Sequence, residues 1–116
     1  MVKIFKAIGD ETRLRILNLL RQTSLCVCEI EYLLQISQSN VSRHLFRLQA
    51  AEIITSEKRA QWVYYSFSEE FIRDHSGLYD YLTSTLSGHK GYAKDNTRLA
   101  DYQKSGKSCD LLKSKK

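Results

Sequence analysis

Two cysteines are separated by one residue in the segment SLCVCEIEYLL, which covers residues 24–34. Their thiolates would bind soft, thiophilic ions rather than Mg²⁺ or Ca²⁺. Two such residues point about 200° apart in an ideal helix, whereas at an extended helix start they share a face. Cys26 and Cys28 can therefore hold one ion together if the helix begins at the CVC sequence, where the helix dipole also favours thiolate. The alternative is that both fill the core, because free cysteine is among the most buried residue types.

Length and composition limit the kind of protein that carries this segment. The chain has 116 residues, 42% of them hydrophobic, which predicts a single globular domain. No apolar run approaches the ~20 residues that span a bilayer, and the start of the chain lacks a signal-peptide pattern. We therefore expect a cytoplasmic protein with no membrane contact. Three cysteines in a reducing compartment also argue against a disulfide scaffold.

The formal net charge of +5 is not spread evenly along the chain. Residues 1–87 carry as many acidic as basic side chains, so the excess lies entirely in residues 88–116. Bulk charge therefore does not decide whether the folded part binds DNA. We expect a domain over residues 1–87 and a basic, partly disordered tail over residues 88–116, with at most one helical turn near residues 97–103.

Apolar periodicity predicts four helices in the first half of the chain. The first three are expected before Gly9, over residues 10–22 with Asp10 as the N-cap, and over residues 28–34. The fourth covers residues 38–52 and carries Val41, Leu45 and Leu48 on one face. Its opposite face is polar. A short helix, a tight turn and a helix with a polar exposed face form the pattern of a helix-turn-helix.

Two β-prone runs follow, over residues 53–56 and 62–67, with a charged turn at residues 58–61 between them. A hairpin directly after a recognition helix is the wing of a winged helix, with Lys58 and Arg59 at its tip. Ser68 would cap a final helix that carries more apolar surface than so small a domain needs for its own core. The predicted fold is mainly α with a small β-hairpin, a winged helix-turn-helix that forms a homodimer.

The polar face of the fourth helix is the predicted DNA-reading surface. The N-terminal part of a recognition helix reaches base edges, which Gln, Asn and Arg side chains can pair with. The base-contacting candidates are Gln38, Ser39, Asn40, Ser42 and Arg43. Phosphate contacts are expected from Arg47, Lys58 and Arg59. His44 is either a DNA-binding or a structural residue, and the exposed Phe46 is expected to pack against the wing or a partner subunit.

Four segments, AIGDETRLRILNLL, LCVCEI, SQSNVSRHL and WVYYSFS, occur in the order and spacing of the arsenical-resistance repressors. Over residues 5–86 the chain resembles this ArsR/SmtB family of winged-helix metalloregulators. The resemblance implies a homodimer that binds operator DNA with an imperfect palindrome and releases it when a metal or metalloid binds. It implies no enzymatic activity.

The resemblance also implies a class of ligand. In the nearest arsenical-sensing pattern a third cysteine follows CVC by three residues, and this chain has Glu31 at that position. Trivalent arsenic or antimony, inorganic or methylated, would be bound by Cys26 and Cys28. The third position would be taken by Cys109, if the tail folds back, or by a methyl group or a solvent oxygen.

Other metal specificities within the same family are alternatives. A cadmium or lead sensor would be expected to add cysteines from an extended N-terminus, whereas the first cysteine here is Cys26. A zinc sensor would use an Asp/His pattern on the last helix. Asp74, His75 and His89 do not have that spacing, so we assign them no metal role.

Two further alternatives use the thiols without a metal. A redox sensor of the same fold would oxidise Cys26 or Cys28, most readily with Cys109 as the disulfide partner, because a ring between residues two apart is strained. A thiol-dependent enzyme would need acid–base groups beside the nucleophile. The neighbouring sequence offers only Glu29 and Glu31, so this alternative is the weakest.

Overall fold

The computed structural model describes residues 1–106 and residue 108. In chain order its elements are α1 (Val2–Ile8), α2 (Glu11–Leu20), β1 (Leu25–Cys26), α3 (Val27–Leu34), α4 (Gln38–Ala50), β2 (Ile54–Arg59), β3 (Trp62–Phe67), α5 (Glu69–Asp74), α6 (Ser76–Ser87), a 3-10 turn (Lys90–Tyr92) and α7 (Ala93–Ser105). Within the described range, no helix is both long enough and apolar enough to cross a bilayer. The mainly helical fold with a small antiparallel sheet is the one that the sequence predicts.

Helix α2 lies at the centre of the core. Its residues Ile16, Leu17 and Leu19 are fully buried, and both α3 and α4 pack against it. The helix starts where the Asp10 carboxylate accepts a hydrogen bond from the backbone N–H of Arg13 at 3.0 Å, which confirms the predicted N-cap. The dense apolar pattern of this segment reflects burial on nearly all sides.

Helices α3 and α4 form the predicted helix-turn-helix. Gln35 adopts a left-handed conformation with φ of 58° directly after α3, which reverses the chain within three residues. The Ser37 hydroxyl then accepts a hydrogen bond from the backbone N–H of Asn40 at 3.3 Å and starts α4. Val41, Leu45 and Leu48 are buried as predicted, so the polar face of α4 points to solvent.

The wing is a three-stranded antiparallel sheet with strand order β1-β3-β2. The sequence predicts the hairpin of β2 and β3 but not β1, which is only two residues long and pairs Cys26 with Tyr64. The predicted turn is wrong by two residues, because β2 continues to Arg59, which pairs with Trp62. Lys58 and Arg59 therefore lie in the strand, and the tip contains Ala60 with φ of 56°.

The single helix predicted after Ser68 is wrong, because the structure divides it into α5 and α6. The Ser68 hydroxyl accepts from the backbone N–H of Phe71 at 3.2 Å, so α5 starts where expected. His75 interrupts the helix with φ of −129°, and its ring packs on Phe71 with centroids 5.5 Å apart. The break precedes Gly77, the residue expected to loosen this segment, by two positions.

Helix α7 corrects the prediction of a partly disordered tail, as far as residue 105. Tyr92, Asp95, Leu99 and Tyr102 are buried at helical spacing. They pack α7 against α2 and α3. The segment was hard to recognise because two of its inward residues are tyrosines, one is an aspartate, and lysines surround them. Residues 88–105 therefore belong to the same domain as residues 1–87.

Candidate metal centre and nucleic-acid interface

The two cysteines of the CVC sequence lie at the start of α3. Cys26 is the N-cap residue with extended backbone angles, φ −95° and ψ 171°, and Cys28 is the second residue of the helix. The geometric condition set by the sequence is therefore met. The two Sγ atoms are 3.1 Å apart, and Cys26 is 3% exposed. Both sulfur atoms can contact one soft ion from the same side.

A buried carboxylate fixes the backbone at this position. Glu29 is 6% exposed, and its Oε1 accepts a hydrogen bond from the backbone N–H of Cys26 at 3.0 Å. Its Oε2 accepts a second hydrogen bond, at 2.5 Å, from the hydroxyl of Tyr102 on α7. Sequence reasoning treated Glu29 only as an unsuitable acid–base group. The signal that identifies its role is the spacing of three residues from N-cap to glutamate, which is that of a capping box.

A small cavity of about 100 Å³ adjoins the sulfur atoms. It is lined by Cys26, Val27, Cys28, Glu31, Gln38, Trp62 and Val63. These residues come from the start of α3, the first residue of α4 and the first two residues of β3. A ligand in this cavity would thus touch the recognition helix and the wing together with the cysteines.

Residues 1–106 and 108 contain no group of three or more His, Cys, Asp or Glu side chains arranged to hold a metal. Glu31 lines the cavity but does not complete such a group with the cysteines. Cys109, the predicted third ligand, lies outside the described residues. The histidines near the helix ends have structural contacts: His75 packs on Phe71, and His89 caps the 3-10 turn and stacks on Tyr92 at 4.5 Å.

The polar face of α4 is exposed as the sequence predicts. The base-contacting candidates Gln38, Ser39, Asn40, Ser42 and Arg43 are all exposed, as are Arg47, Lys58 and Arg59. The Arg43 guanidinium donates to Oδ1 of Asn40 at 2.8 Å, which aligns these two side chains. On the wing, Arg59 donates to Glu57 at 2.7 Å and lies over the ring of Tyr64. These positions remain predictions for DNA contact.

His44 does not belong to this face. It is only 9% exposed. Its Nδ1 lies 3.2 Å from the Arg13 guanidinium and 3.8 Å from a carboxylate oxygen of Asp10. Burial lowers the pKa of His44, with the nearby guanidinium of Arg13 acting in the same direction. His44 therefore joins α4 to the start of α2, which fits the structural alternative, and DNA contact by this residue stays a prediction. Its position at i+3 from Val41 was the available signal.

Phe46 is 72% exposed on the solvent-facing side of α4. The expectation that it packs against the wing of its own chain is therefore wrong.

A helix-turn-helix with an exposed polar face, followed by a β-wing, defines a winged-helix DNA-binding protein.

Comparisons with known proteins agree with this class. Residues 10–56 match the family model described as bacterial regulatory protein, arsR family. The chain is 35% identical over 94 residues to the arsenic resistance transcriptional regulator ArsR2 of Pseudomonas putida, covering 80% of this chain and 79% of that protein. The chain belongs to the arsR family of bacterial regulatory proteins. The matched segments belong to transcription regulators, which are not enzymes.

Two further comparisons concern the length of sequence that is shared and the fold. The chain is 43% identical over 68 residues to ArsR1 of Pseudomonas putida, covering 58% of this chain but only 53% of that regulator. The solution structure of the homodimeric winged helix-turn-helix DNA-binding domain from Mycobacterium bovis has a TM-score of 0.61 and 22% identity, covering 77% of this chain and 83% of that one. The latter similarity supports the fold alone.

Proposed function

We propose that the protein is a homodimeric transcriptional repressor that acts in the cytoplasm and releases operator DNA on binding trivalent arsenic or antimony. The observation that carries the proposal is the 3.1 Å separation of the Cys26 and Cys28 Sγ atoms at the start of α3. Its relatives named for arsenic resistance support a metalloid as the inducer. Thiolates are the donors that such an ion prefers.

Cys109 is proposed as the third thiolate. Tyr102 on α7 reaches Glu29, one hydrogen bond from the backbone of Cys26, and Cys109 follows Tyr102 by seven residues. Because α7 ends at Ser105, only the four residues that follow could extend, and they would span up to about 14 Å. Arsenite would then exchange its three hydroxyl groups for three thiolates, and each thiol proton would leave with a hydroxyl group as water.

DNA release would follow from the position of the cavity. Gln38, the first residue of α4, lines it, and Cys26 pairs with Tyr64 of the wing. A ligand that draws the sulfurs together there would shift α4 against the wing. Couplings of about 1–3 kcal/mol, or roughly 5–150-fold in affinity, are usual between allosteric sites.

The DNA contacts divide into two kinds. Base edges would be read from the exposed start of α4, where Arg43 is held by Asn40. Phe46 stands on the same face, and its ring can contact the methyl group of thymine. Arg47 and the wing residues Lys58 and Arg59 would bind phosphate. Two recognition helices one DNA turn, ~34 Å, apart would match an imperfect palindrome.

Homodimerisation is supported by the apolar side chains that α1 and α6 leave uncovered. Val2 is 68% exposed, Phe5 52% and Tyr81 70%. Large apolar groups at such exposure are typical of interaction surfaces when they occur together with an apolar helix face. The related domain from Mycobacterium bovis is described as homodimeric.

Fluorescence anisotropy of the protein on its upstream DNA tests the proposal directly. Arsenite, antimonite and methylarsenite are expected to release the DNA, whereas Cd²⁺ and Zn²⁺ are not. Cys26→Ser and Cys28→Ser should abolish the response without weakening DNA binding. Release by Cd²⁺ or Zn²⁺ alone would identify a different metal sensor, and release by none of these ions would contradict the proposal.

A matched variant tests the third ligand. Cys109→Ser should weaken the response to arsenite, and adding Glu31→Cys should restore it, because residue 31 lines the same cavity. The rescued variant would have its three thiolates at the positions of the related arsenical-sensing pattern. Failure of Glu31→Cys to rescue, with the fold intact, would exclude a simple exchange of ligands.

Thiol-redox sensing is the second candidate, because two sulfur atoms 3.1 Å apart are also close enough to react after a small movement. Hydrogen peroxide would oxidise two thiols to a disulfide and be reduced to two water molecules. In the same anisotropy assay, release by peroxide that a thiol reductant reverses would favour this function. Release by arsenite in the presence of reductant would favour the metalloid sensor.

A further inference from the structure

The side chain of Arg13 joins three helices. It extends from the start of α2 and donates from Nε to the carbonyl of Ala7 at 2.5 Å and from one terminal nitrogen to the carbonyl of Lys6 at 3.4 Å. Both carbonyls lie in the last turn of α1. The other terminal nitrogen lies 3.2 Å from Nδ1 of His44 on α4. One planar guanidinium group therefore links the end of α1 to the recognition helix.

Both ends of this link suit a planar cation. A guanidinium group can only donate, so Nδ1 of His44 accepts, and the imidazole is neutral with its proton on Nε2. Burial favours that neutral form because it lowers the pKa of His44. At the other end, the last carbonyls of a helix such as α1 have no donor within the helix, and a positive charge beside them is favourable. The contacts of Arg13 therefore hold α1 and α4 in one arrangement.

Helix α1 carries part of the surface that the proposed dimer would bury. Ile4 and Ala7 face the core, whereas Val2 and Phe5 point to solvent and are 68% and 52% exposed. Helix α1 also packs directly on α4. In a dimer that is joined through α1, the angle between α1 and α4 decides where the two recognition helices lie relative to each other. Arg13 forms hydrogen bonds to both of these helices.

We propose that Arg13 is a positioning residue for operator recognition: by holding α4 at a fixed angle to α1, it sets the spacing of DNA half-sites that the dimer accepts. This inference rests on the proposed function, because it needs a dimer that binds two half-sites. One extra base pair between the half-sites moves them apart by about 3.4 Å and rotates them by about 35°. A dimer with firmly held recognition helices rejects such a duplex, whereas a dimer with loosely held helices accepts it.

Three substitutions separate positioning from charge. Arg13→Gln removes the planar cation, and Arg13→Lys keeps the charge but loses the fork that reaches α1 and α4 together. Arg21→Gln is the matched control, because Arg21 is also half-buried at the end of α2 and its guanidinium donates to Asn18 of the same helix at 3.0 Å. A phosphate contact by Arg13 would be retained in Arg13→Lys, whereas the positioning role would be lost.

The experiment measures the affinity of the full chain for three kinds of DNA by fluorescence anisotropy: its upstream operator, located by footprinting, the same duplex with one or two base pairs inserted at the centre, and a single half-site. We expect both Arg13 variants to bind the unaltered operator about 10-fold more weakly than wild type, the range of a lost hydrogen bond from a charged donor. Affinity for the single half-site and for the expanded duplexes should change less than about twofold, because neither depends on the correct spacing. The preference for the unaltered operator should therefore fall in both variants, and Arg21→Gln should match wild type.

His44→Ala breaks the same link from its other end and should reproduce the loss of spacing preference. It carries the test if circular dichroism shows that Arg13→Gln is unfolded. In the His44→Ala background, Arg13→Gln should cause little further loss on the unaltered operator, because Arg13 acts through the residue that is already missing.

Several outcomes would overturn the role of Arg13 and leave the proposed function intact. These are equal losses on all three kinds of DNA, a wild-type spacing preference in Arg13→Lys, a full further loss in the His44→Ala background, or no loss in any variant. Wild-type protein that binds its upstream DNA without preferring one spacing of two half-sites would instead overturn the proposed binding to a palindrome, and this inference with it.

Discussion

The helix-turn-helix contains two helix starts that are built in opposite ways. At the start of α4 the capping group is the exposed hydroxyl of Ser37, and the next residues point polar side chains into solvent. At the start of α3 the capping group is the buried carboxylate of Glu29, and the wing and α7 cover the backbone. One start is open to a large, flat partner. The other is enclosed beside a cavity of about 100 Å³.

Under the proposed function, the two tasks of a ligand-controlled repressor would fall to neighbouring parts of one motif. An exposed helix start can meet base edges and phosphate without any rearrangement of the core. An enclosed start can accommodate only a small ligand, and a ligand in the cavity would contact residues from several elements. Gln38 belongs to both regions, because it opens α4 and also lines the cavity. The side chain of Gln38 can therefore couple the two helix starts.

The largest expected effect comes from removing the buried cap of α3. Glu29→Ala leaves the Cys26 backbone N–H and the Tyr102 hydroxyl without their acceptor, in a region from which water is excluded. We expect a loss of about 3 kcal/mol in the free energy of unfolding, since each unsatisfied buried donor costs about 1–3 kcal/mol. Urea denaturation at fixed protein concentration measures it, because the stability of a dimer depends on concentration.

Glu31→Ala is the control for that experiment. Glu31 lies two residues further along the same helix and is half-buried at the cavity, without the two hydrogen bonds of Glu29. We expect it to change the free energy of unfolding by less than about 0.5 kcal/mol. Similar losses in the two variants would show that the start of α3 is not held by a buried cap, and the contrast between the two helix starts would disappear.

The second prediction concerns the open start. Arg43→Ala should weaken operator binding by about 1–3 kcal/mol and relax the preference at one base pair, because a bidentate arginine–guanine contact discriminates by that amount. The free energy of unfolding should stay within about 0.5 kcal/mol of wild type, since the side chain is exposed. Fluorescence anisotropy with a set of single-base operator variants measures both the loss of affinity and the change in base preference. A uniform loss across all variants would identify a phosphate contact instead.

The open region could be predicted from the sequence because its signals are local. Ser37 caps α4, and Val41, Leu45 and Leu48 repeat at helical spacing; each of these features is readable within one segment. The enclosed region depends on contacts between distant segments. Cys26 and Glu29 show the local capping pattern, but Tyr102 joins them from 73 residues away. Strand β1, with two residues, is too short for a pattern and exists through its pairing with β3.

Helix α7 escaped prediction for a related reason. Its buried aspartate is unfavourable in a core unless it is paired, and the partner, Arg15, lies on α2. From the segment alone, Asp95 and its lysine neighbours indicate a solvated chain. The bidentate contact with Arg15 turns the same residue into an anchor. Hydropathy cannot distinguish a paired charge from a solvated one, so α7 could be recognised only from the tertiary structure.

The exposed cap of α4 gives a smaller effect than the buried cap of α3. Ser37→Ala removes the acceptor for the Asn40 backbone N–H, which water can replace at this exposed position. We expect a loss of about 1 kcal/mol in the free energy of unfolding. Ser37→Asp, which retains a capping oxygen, should restore it. A loss as large as that of Glu29→Ala, measured in the same urea titrations, would contradict the view that burial separates the two caps.

The smallest expected effect is a pH dependence of the free energy of unfolding, which arises from His44 on the inner face of α4. His44 faces Asp10 and the guanidinium groups of Arg13, Arg43 and Arg47, and burial lowers its pKa. A histidine with a lowered folded-state pKa stabilises the fold while it is neutral, above the unfolded-state value of about 6.5. That stability is lost as the pH falls from there through the folded-state pKa. Between about pH 7.5 and about pH 5.5, wild type should therefore lose more stability than His44→Gln, and parallel losses would exclude the buried histidine as the cause.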